Sequence, residues 1–415
     1  MAMPEKQNSL RFATRALNHR NYRLFFAGQG FSLIGTWMQR LAVSWLVYRL
    51  TGSVFLLGLT GFIGQLPLFL FASIAGVYVD RWNRYRLLLA TQICAMIQAS
   101  LLAYLTLRGS VKVWEVLLLA ASLGLINAVD MPVRQSFVVD MVGQKKEDLP
   151  NAIALNSVMV NGARLVGPFC AGVAVAAFGE GMCFLFNALS FLAIVVALLL
   201  MNVSSKGKTR ITSGSLHILK EGYRYAFGFV PIRYVLIVLS LVSLMGMSYQ
   251  VLMPVFAKNI LHGSASTLGF LMAAAGIGAL MSSVKLVSRK SVAGIERFIV
   301  LGSAFFGLGL IAFSFSRHLG LSLGALLIVG FGMMTVMTSC NTMLQTVVAE
   351  DKRGRIMSFY AMAFQGMTPF GNLLAGSLAN HIGAPYTVMV GGACCVGVSL
   401  FFAAQLGAIR KALHV

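Results

Sequence analysis

The chain has 415 residues, 58% of them hydrophobic and only 11% charged, with a mean hydropathy of +0.81. A soluble domain carries about 25% charged residues, so this composition excludes a fold that covers itself against water and specifies an integral membrane protein. The net charge of +21 would suggest nucleic acid in a soluble chain. Here Lys and Arg sit mostly in short connections between apolar runs, the pattern that fixes membrane orientation.

A basic tail runs to about Arg23 without the shape of a signal peptide, since no small-residue cleavage site follows a short apolar core. Apolar spans are predicted at roughly 23–48, 55–79, 87–107, 114–139, 152–178 and 182–202. A polar, basic stretch follows, and six more spans lie near 232–256, 267–287, 297–316, 319–348, 356–379 and 385–408. The expected organisation is a six-helix half over 1–202, a linker over 203–230 and a second six-helix half over 231–415. The end of the linker, Leu216 to Phe229, mixes charged with aromatic residues and is expected to lie as a helix on the membrane surface.

Of the 33 Lys and Arg, Arg49, Arg108, Lys112, Lys258 and Arg317 fall in the odd-numbered connections, and Arg40, Arg134 and Arg164 lie within spans. The rest occupy the tails and the even-numbered connections, so both termini are expected in the cytoplasm. A faint internal repeat supports two halves. Gln135-Ser136 with Asp140 recurs as Gln345-Thr346 with Glu350, and Asn161-Gly162 with Gly172 recurs as Gln365-Gly366 with Gly376. Parallel six-helix repeats are a known transporter construction with the solute site between the halves.

The chemistry concentrates in the first half. A charge on a hydrocarbon-spanning helix costs several kcal/mol, so it tends to face a bundle interior, to be paired and to serve transport. Asp130 and Arg134 are four apart, hence on one helical face. By a ~1.5 Å rise per residue, Arg164 lies within roughly 5 Å of their depth. Asp130 is the one acid well inside a span. Burial and neighbouring arginines pull its proton affinity in opposite directions, so it suits a proton-coupling site; a static pair with Arg134 or Arg164 that merely joins helices is the competing reading. Arg40, Arg134 and Arg164 against one aspartate suit an anionic or metal-chelating solute, such as a carboxylate or catecholate siderophore, through bidentate bonds and stacking. The alternative is that Arg134 and Arg164 are both structural. Trp37, Gln39, Asn127, Asn156 and Asn161 are further cavity candidates, as are Gln250, Asn341, Gln345 and Gln365 in the second half.

Two stretches suit gating. Gly76 permits close helix approach, and Asp80 with Arg81, Arg84 and Arg86 can latch neighbouring helix ends in one state and release them in another. Gly162, Gly167, Pro168 and Gly172 read as a hinge or seal, with Pro168 kinking its helix. No metal site and no cofactor are expected. The six cysteines lie in apolar segments without ligand spacing, and the six histidines sit in tails, loops or helix ends. With no clustered nucleophile or paired acids either, a membrane-embedded enzyme is disfavoured.

These residues carry a family resemblance. Gly76-Val-Tyr-Val-Asp80-Arg81-Trp-Asn-Arg84-Tyr-Arg86 resembles the G-x-x-x-D-R-x-x-R-R signature of the major facilitator superfamily, and Gly162 to Gly172 resembles the antiporter motif of its exporters. Gly35-Thr-Trp-Met-Gln39, Asp130-Met-Pro-Val-Arg-Gln135, Asn151-Ala-Ile-Ala-Leu-Asn156-Ser157 and Ala163-Arg-Leu-Val-Gly-Pro168 are similar to the branch holding the enterobactin exporter and macrolide efflux pumps. Two departures stand out. Asn83 replaces a frequent Gly, and 288–296 lacks a clean second copy of the signature. The resemblance implies an all-α, twelve-helix major facilitator fold in the bacterial inner membrane. It implies a monomeric exporter of a small organic solute by proton antiport and alternating access, a siderophore first and a macrolide or other drug second.

Overall fold

The computed structural model describes residues 14–79, 82–142, 146–202, 225, 227–287, 294–350 and 352–413. Among these every regular element is helical. After a 3₁₀ turn (Arg15–Asn18) come α1 (Arg20–Thr51), α2 (Val54–Val79), α3 (Arg84–Leu107), α4 (Val113–Val142) and α5 (Leu149–Leu199). The second half holds α6 (Val230–Leu241), α7 (Tyr249–Val255), α8 (Ala265–Val287), α9 (Ile295–Phe315), α10 (Leu319–Val347), α11 (Arg353–Ala361), α12 (Thr368–Ile382), α13 (Ala384–Ala404) and α14 (Leu406–Leu413).

Nine stretches among the described residues are long and apolar enough to cross a membrane. One of them, α5, is two spans joined at a corner, because Gly179 stands at φ 81°, ψ 170°, a conformation that only glycine adopts readily. The arginines of α1 lower its hydropathy, and the α11–α12 stretch is broken by a π-helical turn; these two complete the twelve expected spans. The break in α5 is at Gly179 rather than at Pro168, whose neighbours keep helical backbone angles. The surrounding turns of α5 accommodate the proline, whereas Gly179 reverses the chain direction outright.

The helices assemble into two compact units. The first comprises residues 1–46 and 67–210, the second 47–66 and 211–415. In unit 1, α3 packs on α4 and α5, and Tyr22, Phe25, Leu88, Val133, Phe137 and Ile194 form a buried core. Its N-terminal segment is stapled down. Asp148 pairs with Arg15 at 3.1 Å and His19 at 2.8 Å, and Tyr22 donates to the Ala152 carbonyl at 2.7 Å. Unit 2 claims the end of α1 and the start of α2, so the division in space does not follow the expected division in sequence. The physical reason is close backbone contact: a Cβ on Gly58 would come within 2.5 Å of the Asn372 carbonyl oxygen and 2.7 Å of Gly376 Cα. Phe62 adds an edge contact with Phe370, at 5.9 Å between ring centroids.

Within unit 2, α10 packs on α8 and α9, and α9 on α13. Three π-helical turns interrupt its helices, at Val242–Gly246, Phe256–Ile260 and Met362–Gly366. The first and third touch: the Ser243 hydroxyl donates to the Phe364 carbonyl and lies 3.0 Å from Thr368 Oγ1. The terminal helix α14 buries Ile409 and places Arg410 2.9 Å from Glu296, itself buried at the start of α9. The expected surface helix at 216–229 falls mostly outside the described residues.

Candidate functional site

The polar centre of unit 1 begins with a close approach of α5 to α1. A Cβ on Gly167 would stand 2.5 Å from Trp37 Cβ and 2.9 Å from the Ile34 carbonyl oxygen, so only glycine lets the two helices meet here. Arg164 is three residues earlier, on the same face of α5. That register brings its guanidinium carbon to 5.7 Å from the Trp37 ring centroid. Arg40, three residues after Trp37 on α1, stands 4.6 Å from the same ring. One indole therefore takes two guanidinium groups by cation–π attraction. The Arg40 charge also feels those of Arg164 and Arg134. Like charges gathered this closely repel one another. Arg40 lies deep among protein atoms yet retains exposed surface, and Arg134 and Arg164 are half-buried.

Asp130 is 5% exposed and sits with Arg134, whose Nε is 3.8 Å from Asp130 Oδ2. Its other oxygen has closer partners. Thr91 Oγ1 lies 2.9 Å and Gln92 Nε2 2.6 Å from Oδ1, both from α3. A carboxylate bonded this way is stabilised by neutral donors as well as by the arginine. Sequence reasoning missed Thr91 and Gln92. The available signal was a polar pair within the first turns of an apolar span, on the helix that must neighbour α4.

Gln39 is the most deeply buried of the cavity candidates. It is 1% exposed, and its amide bonds Asn187 Nδ2 at 2.7 Å and Gln98 Oε1 at 3.0 Å. Gln98 continues to the Leu119 carbonyl at 3.1 Å. This chain of amides joins α1, α3, α4 and α5, because a buried amide needs a partner and helices supply it from each other. Of the other candidates in unit 1, Asn127 and Asn156 are half-buried, and Asn161 donates back to the Ser157 carbonyl at 2.9 Å. Unit 2 carries its own amides. Gln345 donates to Asn341 Oδ1 at 3.0 Å, Gln250 is half-buried, and Gln365 is exposed within the third π turn.

At the basic ends of the unit 1 helices, Arg84 reaches both oxygens of Asp140, at 3.3 and 3.4 Å. Asn83, the departure from the superfamily signature, caps α3 by accepting from the Arg86 backbone N–H at 3.1 Å. Gly76 lies on α2 and the Arg86 side chain is exposed; Asp80 and Arg81 fall outside the described residues. Among the small residues of α5, Gly167, Pro168 and Gly172 are buried, while a Cβ added at Gly162 would meet open space. The tight helix approach therefore belongs to Gly167 and not to Gly162.

The sequence pattern of the transmembrane secretion effector family matches residues 13–412. The chain belongs to this family of major facilitator transporters. Among its relatives, the staphyloferrin A transporter of Staphylococcus aureus is 24% identical, over 92% of this chain and 95% of its own length. The multidrug efflux pump Tap of Mycolicibacterium fortuitum is 24% identical over 88% of each chain. A solved bacterial homologue of the iron transporter ferroportin, in an inward-facing state, superimposes with a TM-score of 0.69 at 17% identity, over 93% of this chain and 98% of that one. Likeness at that identity shows the fold. The protein is a multi-pass membrane transporter of small molecules and not an enzyme.

Proposed function

We propose that the protein exports a small anionic organic solute from the cytoplasm, by alternating access and proton antiport, with a carboxylate- or catecholate-bearing siderophore as the preferred cargo. The observation that carries this reading is the Arg40–Trp37–Arg164 stack beside Arg134, where three cations face one aspartate. Planar oxygen-rich groups fit guanidinium bidentately, and the indole holds two guanidiniums ready, so less side-chain freedom is lost on binding. The kinship to a staphyloferrin A transporter supports a chelating cargo. Equal identity to a multidrug efflux pump supports a second reading, in which the cargo is an apolar drug and the arginines hold helices together.

Purified protein in liposomes, with an imposed ΔpH, separates the two readings. Uphill movement of an iron-free carboxylate or catecholate chelator, but not of a macrolide, supports the first; the reverse preference supports the second. Orientation is tested in a background lacking the native cysteines. A cysteine at Asn83 should label only from the cytoplasm and one at His318 only from outside. The opposite labelling would reject export as the direction.

A further inference from the structure

The hydrogen bonds around Asp130 contain two irregularities. Gln92 gives its amide N–H to Asp130 Oδ1 at 2.6 Å, while its Oε1, equally buried, has no partner. Thr91 Oγ1 has one proton but two acceptors in reach, Asp130 Oδ1 at 2.9 Å and the Leu88 carbonyl at 2.8 Å. An idle buried acceptor costs free energy, and a hydroxyl with a surplus acceptor wastes one. Both features acquire a use if the carboxyl is neutral part of the time.

We propose that Thr91 and Gln92 are positioning residues that form a two-state hydrogen-bond switch, so that Asp130 keeps a hydrogen-bond partner whether it is ionised or protonated. With Asp130 ionised, the amide N–H and the hydroxyl both donate to Oδ1, as observed. When a proton joins Oδ1, the Gln92 amide turns over and offers Oε1 as the acceptor for the new O–H. The Thr91 hydroxyl swings its own proton to the Leu88 carbonyl. No covalent bond other than the O–H forms, and the site's charge rises by one. An amide and a hydroxyl can serve both forms because each holds donor and acceptor on one rotor. A second arginine in place of Gln92 could serve only the anion.

The charged groups around this switch are few. Arg134 faces Asp130 from its own helix, and Arg40 on α1 and Arg164 on α5 complete the cationic cluster. From α3, the partners are the two neutral side chains. The proposal rests on the proton-coupled reading of Asp130, and its test is chosen to be separable from that reading.

Infrared difference spectra of purified protein across pH, with Asp130→Asn as the subtraction, isolate the carboxylic-acid C=O stretch of Asp130. In Gln92→Met the pH midpoint of that band should shift by about one pH unit or more, because the anion loses a donor and the acid an acceptor. Its C=O frequency should also move, because the acid loses its acceptor. Thr91→Val should also move the midpoint, and Thr91→Ser should restore it. The proposal is overturned by an Asp130 band whose midpoint and frequency are unchanged in both Gln92→Met and Thr91→Val. It is equally overturned if no Asp130 acid band exists at any pH where the protein stays folded. Should Gln92→Met not fold, the Val and Ser variants at Thr91 decide. Transport indifferent to ΔpH would overturn proton antiport while leaving these spectra as they are.

Discussion

Unit 1 and the second-half helices of unit 2 solve the same problem, polar function inside hydrocarbon, with different parts of the residue. In unit 1 the polarity is in side chains: three arginines, an aspartate and a train of amides from three helices. In unit 2 side-chain amides and hydroxyls are joined by backbone polarity, exposed by three π turns among the described residues and met by hydroxyls such as Ser243. Among the described residues, the ion pairs of unit 2 lie near helix ends, at Glu296–Arg410 and Glu350–Arg353. Side-chain charge selects and couples; backbone irregularity permits movement at little electrostatic cost, since a π turn frees carbonyls that a neighbouring hydroxyl can hold or release. On the proposed function, recognition falls to unit 1 and compliance to unit 2.

The comparison breaks most visibly at Asp130. Asp130→Leu should strand Arg134 and lower stability by about 3–5 kcal/mol, seen as an early thermal transition in detergent. Asp130→Asn keeps an acceptor for Thr91 and Gln92, so it should lose only about 1–3 kcal/mol. It should still bind solute but no longer pump it uphill. An Asn variant as unstable as the Leu variant would return Asp130 to architecture alone, and one that pumps normally would remove it from coupling.

Next in size is the α1–α5 approach. Gly167→Leu must displace Trp37 and the Ile34 backbone, at a cost of about 1–3 kcal/mol, whereas Gly162→Leu enters open space and should stay within about 0.5 kcal/mol of the parent. Equal melting temperatures for the two would deny that Gly167 sets the site. Arg40→Gln should weaken solute binding roughly tenfold, about 1.4 kcal/mol, with little change in melting. Unaltered affinity for an anionic solute would move Arg40 out of the binding site. Smallest is Ser243→Ala in unit 2. It should cost about 1 kcal/mol and slow turnover more than it raises KM, and a pure KM effect would contradict a role in movement.

Much of this was legible beforehand because its signals are local. Apolar runs of membrane length gave the spans, and the i, i+4 spacing of Asp130 and Arg134 gave their pairing. Gly167 was visible as a small residue, although spacing alone could not rank it above Gly162. Partners from other helices were not legible. Thr91 and Gln92 look like ordinary polar residues until the rotation of α3 about its axis is known, and the same holds for Gln98 and Asn187, which bond the Gln39 amide. Pro168 illustrates the limit from the other side: a known helix breaker is held within helical angles, while an unremarked Gly179 turns the chain. The π turns leave no sequence mark, since they depend on what packs beside them.

The pairing of Glu296 with Arg410 has a bearing on biosynthesis. Glu296 is buried at the head of α9, yet its partner lies 114 residues further along the chain. During translation α9 must therefore enter the bilayer with an acid whose counter-charge has not been made. Until α14 leaves the ribosome and seats Ile409, that acid lacks the partner it has in the folded chain, and unit 2 stays unfinished. A chain cut short before Leu406 would keep every transmembrane span yet lack the arginine that pairs with Glu296.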